Sequence, residues 1–272
     1  MTSLNKEAKQ SIQSDFKIVL VGAGNVATRI GLYLHGKGKR IEGVCSRSES
    51  AGILAEKLGC RHFTSVKDIP TDVDMVLIST TDASVAEVAK QLPLIKGFVA
   101  HTSGSIPLEA LTAYHKHAAV LYPLQTFSKD VAVDISRVPF FIEASDHETL
   151  EAVRKVALML SQVVKEADSF VRSRLHIAGV LSSNFPIYLL EMTKRVLQDV
   201  DLPLDTVAPL VEATIAKAFA VGPESAMTGP ARRGDIAVIK KQMSAIGNDN
   251  DREIYELISK AILKEFHPET EL

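Results

Sequence analysis

Apolar positions along this chain change their spacing once. Through about the first 165 residues, short unbroken apolar runs alternate with helical patterns. The first run, Phe16 to Val21, ends directly in a pair of glycines. A helical pattern then follows through Ile30, Leu32 and Leu34 to the Gly36-Lys37-Gly38 break. Ile41 to Cys45 predicts a second strand and Ala51 to Leu58 a helix; Asp74 to Ser79 predicts a buried strand and Ser84 to Leu92 a helix. Phe98 to His101 is a further strand, and Pro107, placed in a first helical turn, opens the next helix. Ala119 to Leu121 and Val138 to Glu143 add strands, followed by a strong helix from His147 to Leu160. Such alternation predicts a mainly parallel sheet covered by helices. After Asp168 only helical spacing remains: Ser169 to Val200, interrupted by Pro186, then Asp205 to Val221, Asp235 to Ile246 and Asp251 to Phe266.

Composition narrows the function classes. The chain of 272 residues has 31 basic and 33 acidic side chains, a net charge of -2, so no electrostatic case exists for nucleic acid or an anionic membrane. No apolar run approaches the roughly 18 residues of a membrane helix. The opening MTSLNKEAKQSIQS is polar and lacks the apolar centre of a signal peptide, which predicts a flexible or loosely helical lead-in over 1–15. Cys45 and Cys60 show no metal-ligand spacing, and Cys45, inside an apolar strand, reads as a buried inert thiol. A reduced, cytoplasmic setting is the expectation, with no metal.

The chemistry begins at the first strand-to-helix turn, Gly22-Ala23-Gly24-Asn25-Val26-Ala27. Gly22 permits the tight turn, Gly24 lets backbone approach a pyrophosphate, and Ala27 keeps helix and sheet close; the helix N-terminus offers N–H groups to phosphate. At the end of the second strand an NAD site would carry a carboxylate for the ribose hydroxyls. Here Ser46, Arg47 and Ser48 stand there instead, while Glu42 precedes and Glu49 follows the turn. A cation flanked by hydroxyls suits a 2′-phosphate, so the expected cofactor is NADP.

Two further loops leave strand ends. Ser79-Thr80-Thr81-Asp82 offers hydroxyls and backbone to the ribose path, with Asp82 either part of it or a cap for the next helix. In His101-Thr102-Ser103-Gly104-Ser105, Thr102, Ser103 and Gly104 leave room for a nicotinamide and a substrate. Ser105 reads as a helix cap, and His101 as a strand-end histidine bonded to backbone or as an acid. Gln125, after Tyr122-Pro123, either closes the pocket or belongs to a stiff connection.

GAGNVA, HTSGS, YPLQTF, SSNFPIYLL and TGPARRGD together resemble one family, over nearly all the chain after Asp15. It is a group of Rossmann-like NADP-binding proteins with a C-terminal domain of unknown function. These resemble pyrroline-5-carboxylate reductase, ketopantoate reductase and the 6-phosphogluconate dehydrogenase superfamily. The resemblance implies a Rossmann domain over 16–167. It further implies an all-α, 6-phosphogluconate-dehydrogenase-like domain over 168–272 for substrate binding and dimerisation. It also implies a cofactor-dependent reductase or dehydrogenase. Many members carry histidine where Tyr122 stands, and the relatives' helix lysine is absent from Leu175 to Asn184. His176 is the titratable candidate there, with Ser183 near the same helical face and Asn184 about 80° round from it. Pro186 should kink the helix and free the Ser182 carbonyl. In the TGPARRGD loop, Asp235 can cap a helix, and Arg233 suits either a substrate carboxylate or an intersubunit ion pair.

The combined expectation is an NADP-dependent oxidoreductase of a small carbonyl, hydroxy acid or imine, working as a homodimer. His176, or a water held by Ser183 and Asn184, would supply the proton. The rival is a non-catalytic NADP(H) sensor, which the missing lysine favours; a deazaflavin-linked enzyme would share the glycine loop.

Overall fold

The computed structural model describes residues 16–272, and the lead-in expected over 1–15 lies outside them. The chain forms two compact units, one ending at Ser183 and one running from Asn184 to Leu272.

In the first unit eight strands form one sheet: β1 (Lys17–Val21), β2 (Arg40–Cys45), β3 (Arg61–Phe63), β4 (Met75–Ile78), β5 (Phe98–His101), β6 (Ala118–Pro123), β7 (Phe140–Ala144) and β8 (Val164–Glu166). Their order in space is β3-β2-β1-β4-β5-β6-β7-β8. Every pairing is parallel except that of β6 with β7, in line with the mainly parallel sheet expected. β3 and β8 were not foreseen, because Arg-His-Phe and Val-Lys-Glu are too short and too polar to make an apolar run. The strand order reverses between β1 and β4, and at such a point a crevice opens at the carboxyl edge of the sheet.

Helices α1 (Asn25–Gly36), α2 (Glu49–Leu58), α3 (Val85–Gln91), α4 (Glu109–Thr112), α5 (His147–Leu160) and α6 (Ser169–Gly179) complete this unit. Successive strand residues face opposite sides of a sheet. Ile18 and Leu20 accordingly join Ile30 and Leu34 of α1 and Val153 of α5, whereas Val19 and Val21 join Val85 of α3 and Leu111 of α4. Burial on both faces is why β1 reads as a continuous apolar run. α5 has the predicted bounds, and Asp146 caps it by accepting from the Thr149 N–H at 2.9 Å.

The sequence pattern divides the chain at 167/168; in the structure α6 packs with the first unit, through Arg172 and Leu175. Asp168 caps α6 by accepting from the Val171 N–H at 2.8 Å. Beyond α6 the helical run widens into a π turn over Val180–Asn184 before α7 (Phe185–Gln198). Pro186 has no N–H for the Ser182 carbonyl, so the wide turn falls where the α-helical ladder loses a rung.

The second unit contains α7, α8 (Ala208–Val221), α9 (Pro223–Ala226), α10 (Pro230–Arg233), α11 (Ile236–Ala245) and α12 (Asp249–Phe266). Its small core is Ala231, Ile239 and Leu263. Arg195 holds Asp251 through two hydrogen bonds of 2.7 Å, tying α7 to α12. Asp235 caps α11 as its sequence suggests, accepting from the Val238 N–H at 3.2 Å. α8 is different: no residue of it is buried, and Leu210, Ile215 and Phe219 stand exposed. Among the described residues no helix is long and apolar enough to cross a membrane.

Candidate active site

The turn after β1 has the mechanics its glycines require. Gly22 adopts φ +104°, and its N–H donates to the Cys45 carbonyl at 2.8 Å. A Cβ there would lie 2.5 Å from the Ser79 carbonyl oxygen, so the turn is pressed against the loop leaving β4. Gly24 faces open space, with no atom within 4 Å of an added Cβ. Asn25 then starts α1, whose first N–H groups have no intrahelical partner. Gly24 and Asn25 are exposed, Val26 is half-buried, and Ala23 is buried. The result is an open cradle of backbone donors at the sheet's crevice.

Beside it lies the bend after β2. The hydroxyls of Ser46, Ser48 and Ser50 form a chain with spacings of 3.1 and 3.0 Å. His62 of β3 meets the Ser46 carbonyl at 2.8 Å. Arg47 is exposed and makes no side-chain hydrogen bond or ion pair among the described residues. Glu42, the acidic residue nearest on β2, is already engaged by Arg40 at 2.9 Å and Arg61 at 2.6 Å. Burial pushes the Cys45 thiol up to about 11, with Asp68 adding to the shift, which agrees with an inert thiol. Cys60 is likewise pushed up to about 11, by burial first and then by Glu42.

The loops after β4 and β5 are tied to each other. Thr102 Oγ1 donates to Ser79 Oγ at 3.2 Å, and Ser105 Oγ donates to Asp82. Two expectations are corrected here. Asp82 caps no helix, because its carboxylate is taken by Ser105, and Ser105 is no cap because α4 does not begin until Glu109. Thr81 is exposed and its hydroxyl meets Ser84, while Thr80 Oγ1 is buried without a partner.

His101 is bonded to backbone, the first of the two readings its place at the strand end offers, and Ser103 is engaged within its own loop. His101 is fully buried. Its Nδ1 accepts from the Ser103 N–H at 3.1 Å, and burial, then the Arg172 charge, holds its pKa down to about 4. A neutral imidazole therefore shapes the turn from below. Ser103 Oγ accepts from the N–H groups of Ser105 and Ile106, both at 3.1 Å, so its oxygen builds the loop instead of waiting for a substrate.

Gly104 is pinned by its neighbours. A Cβ would meet Tyr122 Cζ at 2.7 Å and His176 Cβ at 2.9 Å. The glycine thus lets the end of β6 and helix α6 close over the loop. Tyr122, buried at the end of β6, places its hydroxyl 3.4 Å from His176 Nδ1, with the rings edge-on at 6.2 Å. One helical turn before His176, Arg172 is 1% exposed and pairs with Glu143 of β7. It also donates to the Ile106 carbonyl at 2.6 Å. That arginine fixes α6 against the loop that carries Gly104.

The remaining candidates separate. Gln125 is exposed, and its side-chain oxygen accepts from the Thr126 N–H at 2.8 Å, a local turn. Arg29 of α1 grips the same connection by donating to the carbonyls of Ser128, Lys129 and Val131 at 2.6–2.8 Å. Ser183 donates its hydroxyl to the Gly179 carbonyl at 2.6 Å. Asn184 closes the π turn and begins the second unit. Arg233 belongs to the second unit, where it is exposed in α10. Sequence reasoning missed Arg172, Glu143 and Arg29, and gave Tyr122 no role. Only the placement of Arg172 four residues before His176 could have drawn attention to it. Among the described residues, no group of three His, Cys, Asp or Glu side chains could hold a metal ion.

Comparison with known proteins agrees with this architecture. Residues 16–96 match the oxidoreductase family with an NAD-binding Rossmann fold, and residues 138–262 match the domain of unknown function DUF2520. A Bacteroides fragilis protein described as a "putative NADP oxidoreductase" is 36% identical, with a TM-score of 0.86 over 92% of this chain and 99% of its own. A Thermotoga maritima protein is 25% identical, with a TM-score of 0.74 over 92% and 98%. A reductive aminase from Aspergillus terreus, solved with NADPH and ethyl-5-oxohexanoate, shares the fold at 13% identity, with a TM-score of 0.71 over 92% and 94%. No curated protein matches the chain.

Proposed function

Because the chain belongs to the Rossmann-fold NAD(P)-binding oxidoreductases whose C-terminal part is the DUF2520 domain, we propose that it is an NADP-dependent reductase or dehydrogenase of a small carbonyl, hydroxy acid or imine. The observation that carries this is the open cradle at Gly22–Val26 lying beside Arg47, unpaired among the described residues, and three serine hydroxyls. In this reading the α1 N-terminus and the Gly24 backbone hold the diphosphate. Ser46, Arg47 and Ser48 hold the 2′-phosphate, and Glu42, neutralised by two arginines, does not repel it. Thr80, Thr81 and Thr102 line the path to the nicotinamide. The bound dinucleotide supplies the hydride. His176 donates to the oxygen or nitrogen on which negative charge develops as the hydride arrives. The carbonyl-bearing ligand of the A. terreus relative supports this substrate class by analogy of fold.

The test uses NADPH carrying deuterium on either face of the nicotinamide, incubated with the protein and a panel of small oxo acids, ketones and imines. Label in one product from one face is expected; binding of NADPH with no transfer to any of them would leave a cofactor sensor. Arg47→Ala is expected to weaken NADPH binding by about tenfold and NADH binding hardly at all, the loss of one charge-assisted contact. An unchanged NADPH/NADH ratio by calorimetry would overturn the assignment of this bend.

The same reading includes a homodimer formed through the second unit. Its support is α8, an apolar helix with no buried residue among the described residues and with Phe219 90% exposed. Sedimentation is expected to give twice the 29.5 kDa chain mass, falling toward one chain in Phe219→Glu.

A further inference from the structure

We infer that Tyr122 is a positioning residue for His176, its phenol fixing which imidazole nitrogen carries the hydrogen. This deepens the proposed function, since it rests on His176 being the group that meets the substrate. The phenol oxygen lies 3.4 Å from His176 Nδ1 and has no other hydrogen-bond partner among the described residues. Tyr122 is buried, so a hydroxyl hydrogen aimed elsewhere would go unpaired, which is unfavourable for a buried donor. Donation to Nδ1 is therefore the favoured arrangement. Nδ1 then keeps its lone pair as acceptor, and the neutral ring carries hydrogen on Nε2.

The rest of the cluster holds that geometry. The Gly104 backbone lies where any Cβ would collide with the Tyr122 ring and with His176 Cβ. Phe141 backs the Tyr122 ring at 6.4 Å between centroids, and Arg172 anchors α6 one turn away from His176. Burial also raises the Tyr122 pKa, outweighing the opposing Arg172 charge, so the phenol keeps its hydrogen near neutrality. His176 Nε2 has no partner among the described residues and is not buried, which leaves a single outward donor on a ring whose inward edge is occupied. A ring fixed in this way does not have to select its tautomer when the substrate arrives, and such a preorganised donor is what stabilises developing negative charge.

Imidazole nitrogen NMR of the 15N-labelled full-length protein without cofactor tests this, above the pH at which the His176 signal stops moving. The His176 signals are assigned by their loss in His176→Gln. The wild type is expected to show the Nε2–H form with no detectable Nδ1–H form. Tyr122→Phe, which keeps the ring against Phe141, is expected to regain the Nδ1–H share of an unconstrained imidazole. Mixed tautomers in the wild type, or an unchanged ring in Tyr122→Phe, would overturn the assignment. The wild-type spectrum decides even should the variant fold poorly. Because no turnover is measured, a negative label-transfer result leaves this outcome separately readable.

Discussion

Arg172→Met is expected to lower the unfolding free energy by about 3–5 kcal/mol, the cost of leaving one member of a buried ion pair alone. Arg172 is almost wholly enclosed, and it reaches Glu143 on β7, the Ile106 carbonyl and Ser169 at the start of α6. Removing the guanidinium strands the Glu143 carboxylate and unfastens α6 from the loop that carries Gly104. Urea unfolding should show a lower midpoint with an unchanged slope. Adding Glu143→Gln should recover a substantial part of the loss, because the stranded charge disappears. A midpoint unmoved by Arg172→Met would mean that the pair does not hold this helix.

Gly22→Ala should do its damage at the cofactor. At φ +104° an L-residue is strained, and the new Cβ would lie 2.5 Å from the Ser79 carbonyl oxygen, which is backbone and cannot swing aside. Together these cost about 2–3 kcal/mol. Relief requires the turn and the β4 loop to separate, which opens the cradle. NADPH binding is expected to weaken by about tenfold or more, read by calorimetry on folded protein at low temperature. Gly24→Ala is the contrasting case. Its Cβ would meet no protein atom, so stability should hold while NADPH binding falls.

What could be read in the sequence divides along one physical line. Features set by near neighbours were legible. The β1 run, the glycine turn, the bounds of α5 and the capping by Asp235 each depend on residues within a few positions. Features made by pairing across the fold were not. Glu143 and Arg172 are 29 positions apart, and Tyr122 and His176 are 54 apart. Nothing in either local pattern announces the partner. The same reasoning accounts for the errors. Asp82 and Ser105 each look like a helix cap when read alone, yet between the neighbouring loops after β4 and β5 they satisfy each other. Of the two readings open for His101, complete enclosure selects the backbone-bonded one over the acid, and only three-dimensional packing reveals that. β3 and β8 exist because a neighbouring strand recruits them, which no three-residue sequence can state.

The elevated thiol pKa values bear on durability. With both cysteines pushed up to about 11, burial keeps the sulfurs in the thiol form near neutral pH. Peroxides and electrophiles attack the ionised form, so neither cysteine offers them a ready target. Oxidative damage would fall instead on thioethers such as that of the exposed Met227.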